Sequence, residues 1–244
     1  MNSSQISVIL TVYNAQNYLE ESIGSILKQN CDNWELIIIN DGSTDKSLSV
    51  MKKYESNQIK CLNLKDNVGI AKARDIGIKE SKGNYIAIHD ADDISTLDRL
   101  DVQYRYLEQN KGIFCVGGQA YKIDIDNNII GEMNYPPVYH NDIVSQFVKK
   151  QNPLIDPTTM FRKKDYIAIG GYSDQKKFYL IPDMDLWLRA IERDYLFHNL
   201  DTKLIYYRNN PEGMTLKYKQ KMIQAHILKF REINIENISR KIIF

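Results

Sequence analysis

Three aspartates within four residues, Asp90, Asp92 and Asp93, follow directly on the apolar run from Tyr85 to His89. Carboxylates packed this densely repel one another unless a cation or hydrogen-bond donors neutralise them. In extended backbone Asp90 and Asp92 project to one side and Asp93 to the other, but once the chain turns, Asp92 and Asp93 converge on one ion. Such hard oxygen ligands suit Mg2+ or Mn2+, ions that also bind substrate phosphates and water. The plainer reading is an acidic turn that caps the next helix. Ser95 with Asp98 already supplies a capping box there, which favours the metal. His89 is expected as a hydrogen-bonded strand histidine.

Three further clusters have residue types suited to chemistry. Asp41 lies in the stretch Asn40 to Asp45, where Asp-Gly-Ser is ordinary turn composition and Thr44 an ordinary helix cap. Displayed at a strand end, its carboxylate would accept a hydrogen bond from a uracil, thymine or guanine N–H. Lys72 and Arg74 fall at the start of a helix, where positive charge opposes the helix dipole. Phosphate contact would explain them, and a solvated face is the alternative for Lys72. Asp183, in the first turn of a helix behind Pro182, is either simple dipole stabilisation or a general base that takes a proton from an attacking hydroxyl. Asp185 could serve instead, and spacing does not separate the two. Trp187 reads as core.

The elements needed to position these groups are visible in the hydrophobic pattern. Strands over residues 6–11, 35–39, 60–64 and 84–89 alternate with helices at 17–27, 44–54 and 70–80, the first opened by a capping box from Asn17 to Glu20. Such alternation predicts an α/β fold, a mainly parallel sheet flanked by helices, in which ligands bind beyond the carboxyl ends of the strands. The clusters at Thr11 to Asn14, Asp41 to Asp45 and Asp90 to Asp93 all fall at such ends. Downstream, helices are expected at 96–109, 142–149, 183–193 and 216–231. Strands are expected over 114–130, broken by a turn at 126–128, and over 158–161 and 203–208. This half should extend the same sheet and cover its ligand edge.

Composition narrows the function. The chain has 244 residues with 32 Lys and Arg against 31 Asp and Glu, so no global field draws it to nucleic acid. Three dispersed cysteines, 31, 61 and 115, suit a reducing cytoplasm better than a disulfide framework. A polar N-terminus and the lack of a long apolar run point to a soluble protein with at most peripheral membrane contact, for example through Lys217 to Lys221. No G-x-G-x-x-G, G-x-x-x-x-G-K-[ST] or G-x-S-x-G motif occurs, and the four histidines are scattered, which disfavours dehydrogenases, P-loop NTPases and triad hydrolases.

Together, the segments 7–14, 36–45, 67–74, 90–93 and 183–189 resemble the family-two glycosyltransferases, closely over residues 5–110 and more loosely over 155–190. The resemblance implies a single Rossmann-like A-type domain over 1–215. Its nucleotide-binding half would span about 1–110 and its acceptor half about 111–215, with a helical extension over 216–244. It implies an inverting transfer from a nucleotide-diphospho-sugar, a UDP-sugar being favoured, to a hydroxyl on a saccharide or lipid-linked saccharide in cell-surface glycan synthesis. Thr11, Val12, Tyr13 and Asp41 would hold base and ribose, and Lys72 or Arg74 the base or diphosphate. Asp92 would touch ribose or metal, Asp93 the metal (Mn2+ or Mg2+), and Asp183 would be the base. Arg208, in a closing segment that runs to Thr215, would reach the diphosphate. The sequence departs from the family at Pro182, where a Glu is usual, and at Asp75, where Asn is common. A sugar-phosphate nucleotidyltransferase would need a Gly-rich basic loop, which residues 11–18 lack. A catalytically silent nucleotide-sugar-binding module is the other alternative.

Overall fold

The computed structural model describes residues 5–175, 178–232 and 235–240. Four parallel strands come first: β1 (Ile6–Val12), β2 (Trp34–Asp41), β3 (Ile59–Leu64) and β4 (Tyr85–Asp90). They are joined through α1 (Leu19–Leu27), α2 (Ser47–Lys52) and α3 (Ile70–Glu80) and lie in the order β3-β2-β1-β4. Their continuous apolar runs reflect burial on both faces. Ile6, Val8, Leu10 and Val12 pack with Leu19, Ile23 and Ile26 of α1, whereas Ile9, Ile37 and Ile39 pack with Ala73 and Ile78 of α3.

The sheet then changes character. The two-residue strand β5 (Ile94–Ser95) leads into α4 (Arg99–Gln109), the long β6 (Ile113–Ile123) and its hairpin partner β7 (Ile129–Met133). Next come α5 (His140–Val148), a single 3-10 turn at Asp156–Thr158, β8 (Met160–Arg162) and α6 (Lys163–Ile169). The chain continues through α7 (Pro182–Glu192), β9 (Leu196–Arg208), α8 (Met214–Lys217), α9 (Lys219–Glu232) and α10 (Ile235–Ser239). β8 is antiparallel to both β4 and β6, and β9 runs parallel to β6 with register shifts near Gly118. The result is one mixed nine-stranded sheet. The α/β expectation holds, with the second half continuing the sheet of the first.

Local expectations fail in instructive places. α1 starts at Leu19 behind Tyr18, and no side chain caps it, so the Asn17 capping box does not form. α4 likewise has no side-chain cap. Ser95 Oγ instead accepts a hydrogen bond from Arg99 Nη1 at 3.1 Å, and Asp98 accepts one from Asn30. Asp45, not Thr44, serves the start of α2, accepting the Ser47 N–H at 2.9 Å. The expected strand at 158–161 begins as a 3-10 turn, and the expected closing helix breaks at Tyr218.

Trp187 is fully buried, as expected, with its ring edge-on to Phe161 and Phe197 at centroid distances of 5.9 and 5.8 Å. Trp187→Ala empties the contact between α7 and the sheet and should lower unfolding free energy by about 3–5 kcal/mol in a denaturant titration.

Candidate active site

Because β1, β2 and β4 are parallel, their carboxyl ends share one edge, and Thr11 is the register partner of Asp90. Past Asp90 the chain turns, with Asp93 N–H bonding Asp90 O. It returns as β5, which pairs with Ile205 and Tyr206 of β9. That pairing brings the end of β9 against the acidic turn. The Arg208 amide donates to Asp93 Oδ1 at 2.8 Å and its Nε to the Asp92 carbonyl at 2.7 Å. Asn210 Nδ2 donates to Asp92 Oδ2 at 2.9 Å. Asp93 is 1% exposed, and its Oδ2 faces no donor among the described residues. Burial, then the charges of Asp92 and Asp90, push its carboxyl well above the usual range. Asp90, raised to about 6 by burial and by Asp156 and Asp92, is eased by Arg74. An orphaned carboxylate oxygen among like charges fits a divalent cation. Among the described residues no three acidic, His or Cys side chains form a ready-made cage, so two carboxylates would leave the other positions to phosphate and water.

The first two loops lock together. Asn14, at φ 51°, accepts the Thr44 N–H at 2.8 Å and donates its own amide to Ser43 Oγ at 3.0 Å. Asp41 is buried, and its oxygens accept the Val68 and Gly69 amides at 2.7 and 3.0 Å. Burial raises its carboxyl, and those two amides offset part of the effect. Gly42, at φ +69°, lies so close to this loop that a Cβ would sit 2.6 Å from Asn67 N. Val12 is buried, Thr11 partly buried, and Tyr13 exposed at the mouth.

The two candidate cationic residues of α3 differ in exposure. Lys72 is exposed on α3. Arg74 is 2% exposed, donating through Nη1 to Asp156 Oδ2 at 2.6 Å and through Nη2 to Asp90 Oδ1 at 3.0 Å. Burial opposes its charge, but Asp156 and Asp90 hold the guanidinium protonated. Arg208 is likewise internal, reaching Glu21 at 2.9 Å and the Asp124 carbonyl at 3.0 Å and stacking over Tyr18. It clamps the acidic turn and has no free fork to offer a diphosphate. His89 is buried against Arg99 at 3.1 Å, a structural histidine as expected.

At α7 the two candidate bases separate. Asp185 is 1% exposed, with one oxygen on Arg189 Nε at 2.8 Å and the other on Lys229 Nζ at 2.5 Å, and it ties α9 to α7. Asp183 is only partly buried, and the side chain that bonds it is Asn152, whose Nδ2 lies a long 3.3 Å away. Burial, then repulsion from Asp156, lifts its carboxyl to about 7. Asp75 takes the Tyr166 hydroxyl and so holds the Gly171 loop beside the site. Asp156 was missed by sequence reasoning. It sits in an unremarked Leu-Ile-Asp-Pro stretch, and only Pro157 hinted at a fixed turn.

Parallel strands ending in an acidic edge, faced by a carboxylate at a helix start, form the arrangement of an A-type glycosyltransferase. The chain belongs to glycosyl transferase family 2, whose sequence model matches residues 7–170. A putative glycosyltransferase, EpsE, of Bacillus subtilis is 34% identical over 217 residues, covering 87% of this chain and 76% of its own. An uncharacterized glycosyltransferase of Methanocaldococcus jannaschii is 29% identical over 250 residues, covering 100% and 85%. S. aureus TarS 1–349 in complex with UDP-GlcNAc superposes with a TM-score of 0.74 at 17% identity, over 98% of this chain and 70% of that one. The mannosyltransferase PcManGT from Pyrobaculum calidifontis, in complex with GDP-Man and Mn2+, gives 0.71 at 14% identity, over 99% and 70%. At these identities the likeness to the solved structures is one of fold.

The Asp41 loop contact yields a test. Asp41→Asn keeps an acceptor for one of the two amides and turns an NH2 donor toward the other, so exchange at Val68 or Gly69 should accelerate in hydrogen–deuterium measurements, with a stability loss of about 1–3 kcal/mol.

Proposed function

We propose that this glycosyltransferase moves a sugar from a nucleoside-diphosphate-sugar, a UDP-sugar, to a hydroxyl of a saccharide or lipid-linked saccharide in surface-glycan synthesis. Transfer is a direct displacement with inversion. The observation that carries this reading is Asp183, a partly open carboxylate raised to about 7 at the start of α7, in one site with the acidic edge. A base near neutrality accepts a hydroxyl proton more readily than an ordinary aspartate. The donor complexes of TarS and PcManGT support the substrate class. Three unpaired cysteines go with a cytoplasmic setting, and no helix among the described residues is long and apolar enough to cross a membrane.

Asp92 and Asp93 are the residues that would hold Mn2+ or Mg2+, whose charge offsets that of the departing diphosphate. Tyr13 and the Thr11 backbone border the base and ribose, with Asp41 holding the adjoining loop. Lys72 remains the exposed cation for the diphosphate, whereas Arg74 acts from inside through Asp90. Asp183 orients the acceptor hydroxyl and takes its proton as that oxygen attacks the anomeric carbon from the side opposite the nucleotide.

Thermal shift against UDP-, GDP-, TDP- and CDP-sugars with Mn2+, Mg2+ or chelator tests the donor class. One class should stabilise the protein in a metal-dependent way, by about 2.7 kcal/mol at a hundredfold excess over Kd, and Asp93→Asn should abolish the metal dependence. Asp183→Asn should leave donor binding nearly intact while lowering kcat by about 10^2–10^4. Normal turnover in that variant would remove Asp183 from the mechanism, and donor binding with neither transfer nor hydrolysis in the wild type would favour a silent binding module. The proton-accepting form of Asp183 is lost as pH falls through its raised pKa, so kcat/KM should rise with pH below about 7 and level off above it.

A further inference from the structure

The loop over residues 152–156 touches both ends of the site and has no role in the sequence motifs. Its Asn152 donates to Asp183 Oδ2 and is itself oriented by the Leu154 amide at 3.2 Å. Its Asp156 accepts Arg74 Nη1 at 2.6 Å, while Arg74 Nη2 goes to Asp90. The loop is rigidly mounted. Pro153 O accepts Asn199 Nδ2 at 3.1 Å, Asp156 O accepts Thr159 Oγ1 at 2.7 Å, and Thr158 O accepts Gln103 Nε2 at 2.7 Å. Asp156 Oδ1 and Arg74 Nε are buried with no partner among the described residues, so nothing else offsets the Asp156 charge on that side.

We propose that Asp156 is a positioning residue of the transfer reaction. By engaging one arm of Arg74 and presenting its own charge beside α7, it withholds positive charge from Asp183 and keeps that carboxylate a strong proton acceptor. This rests on Asp183 as the base. Pro182 supplies no carboxylate at the helix start, so the neighbouring negative charge comes from the 152–156 loop instead.

The groups that face Asp183 among the described residues come from several elements. Arg74 of α3 lowers its proton affinity and Asp156 raises it. Asn152 and the Met184 amide lower it by hydrogen bonding. The phenols of Tyr172 and Tyr135 lie within its field and are neutral near pH 7, their own ionisation being pushed up. Asp156 is therefore the negative partner whose removal has a definite sign.

The test is a carboxyl-13C NMR titration of the donor-free protein, with the Asp183 resonance assigned by its loss in Asp183→Asn. In Asp156→Asn the Asp183 midpoint should fall by about one pH unit or more, because repulsion is removed while the Arg74 charge, still held by Asp90 through Nη2, stays in place. Asp156→Glu should restore the wild-type midpoint. A midpoint unmoved in folded Asp156→Asn overturns the proposal. Should that variant not fold, Arg74→Lys asks the same question with the opposite sign. An ammonium cannot serve Asp90 and Asp156 together, so the midpoint should rise, and an unchanged value again overturns the proposal. If Asp183→Asn retains normal transfer, the base assignment falls instead, and the titration distinguishes the two failures.

Discussion

Repulsion among carboxylates crowded onto one sheet edge is the constraint around which this molecule is organised. Asp90, Asp92 and Asp93 arrive together because they share a turn, and Asp156 and Asp183 are carried in from the second half. Close negative charges are costly when removed from water. The protein answers with two buried guanidinium groups and a set of backbone amides. Arg74 spans Asp90 and Asp156. Arg208 secures Asp92 and Asp93 from the side, mostly through backbone groups. One oxygen of Asp93 is left over, with no donor facing it among the described residues.

The same economy explains why α7 carries two acidic residues with opposite fates. Asp185 is surrounded by Arg189 and Lys229, and Lys229 also lies over the Phe178 ring at 4.8 Å. Losing either cation would leave a buried charge short of compensation, so this pair fixes the C-terminal helices onto the domain. Two residues earlier on the same helix, Asp183 has no cation bonded to it among the described residues. Neighbouring positions on one element thus separate into an ion-paired anchor and a carboxylate with no bonded cation, through what faces them.

The strand-end clusters were legible because burial on both faces of a parallel strand writes a continuous apolar run, and the polar residues that end such a run must lie at the edge. β1, β2, β4 and α3 therefore appeared within a residue or two of their observed limits. Side-chain partners were not legible in this way. Whether Arg74 or Lys72 faces inward depends on the helix phase and on Asp156, which is 82 positions away in sequence. Asp183 and Asp185 look equivalent in the chain and differ through Arg189 and Lys229 around the one and Asn152 and Asp156 around the other. The capping box at Ser95 failed because its members have other partners: Ser95 bonds Arg99 and Asp98 bonds Asn30. Arg208 looked like a ligand contact because its segment resembles a closing loop of the family, yet its clamp needs Glu21 and the hairpin carbonyls, which spacing alone does not reveal.

The dependence of the acidic turn on Arg208 also sets an order of events in folding. β1 to β4 and their helices are contiguous in sequence and can associate through short loop closures. Asp93, by contrast, cannot gain its amide donor until residue 208 is in place, which requires β9 to pair with β6 and β5 over long chain separations. Such non-local pairing is slow because loop-closure entropy precedes any reward. During synthesis the carboxyl edge therefore spends its early life open and strongly charged, with the nascent half-sheet lacking its clamp. β9 completes the acidic turn as well as the sheet, so the turn should reach its final geometry late and all at once.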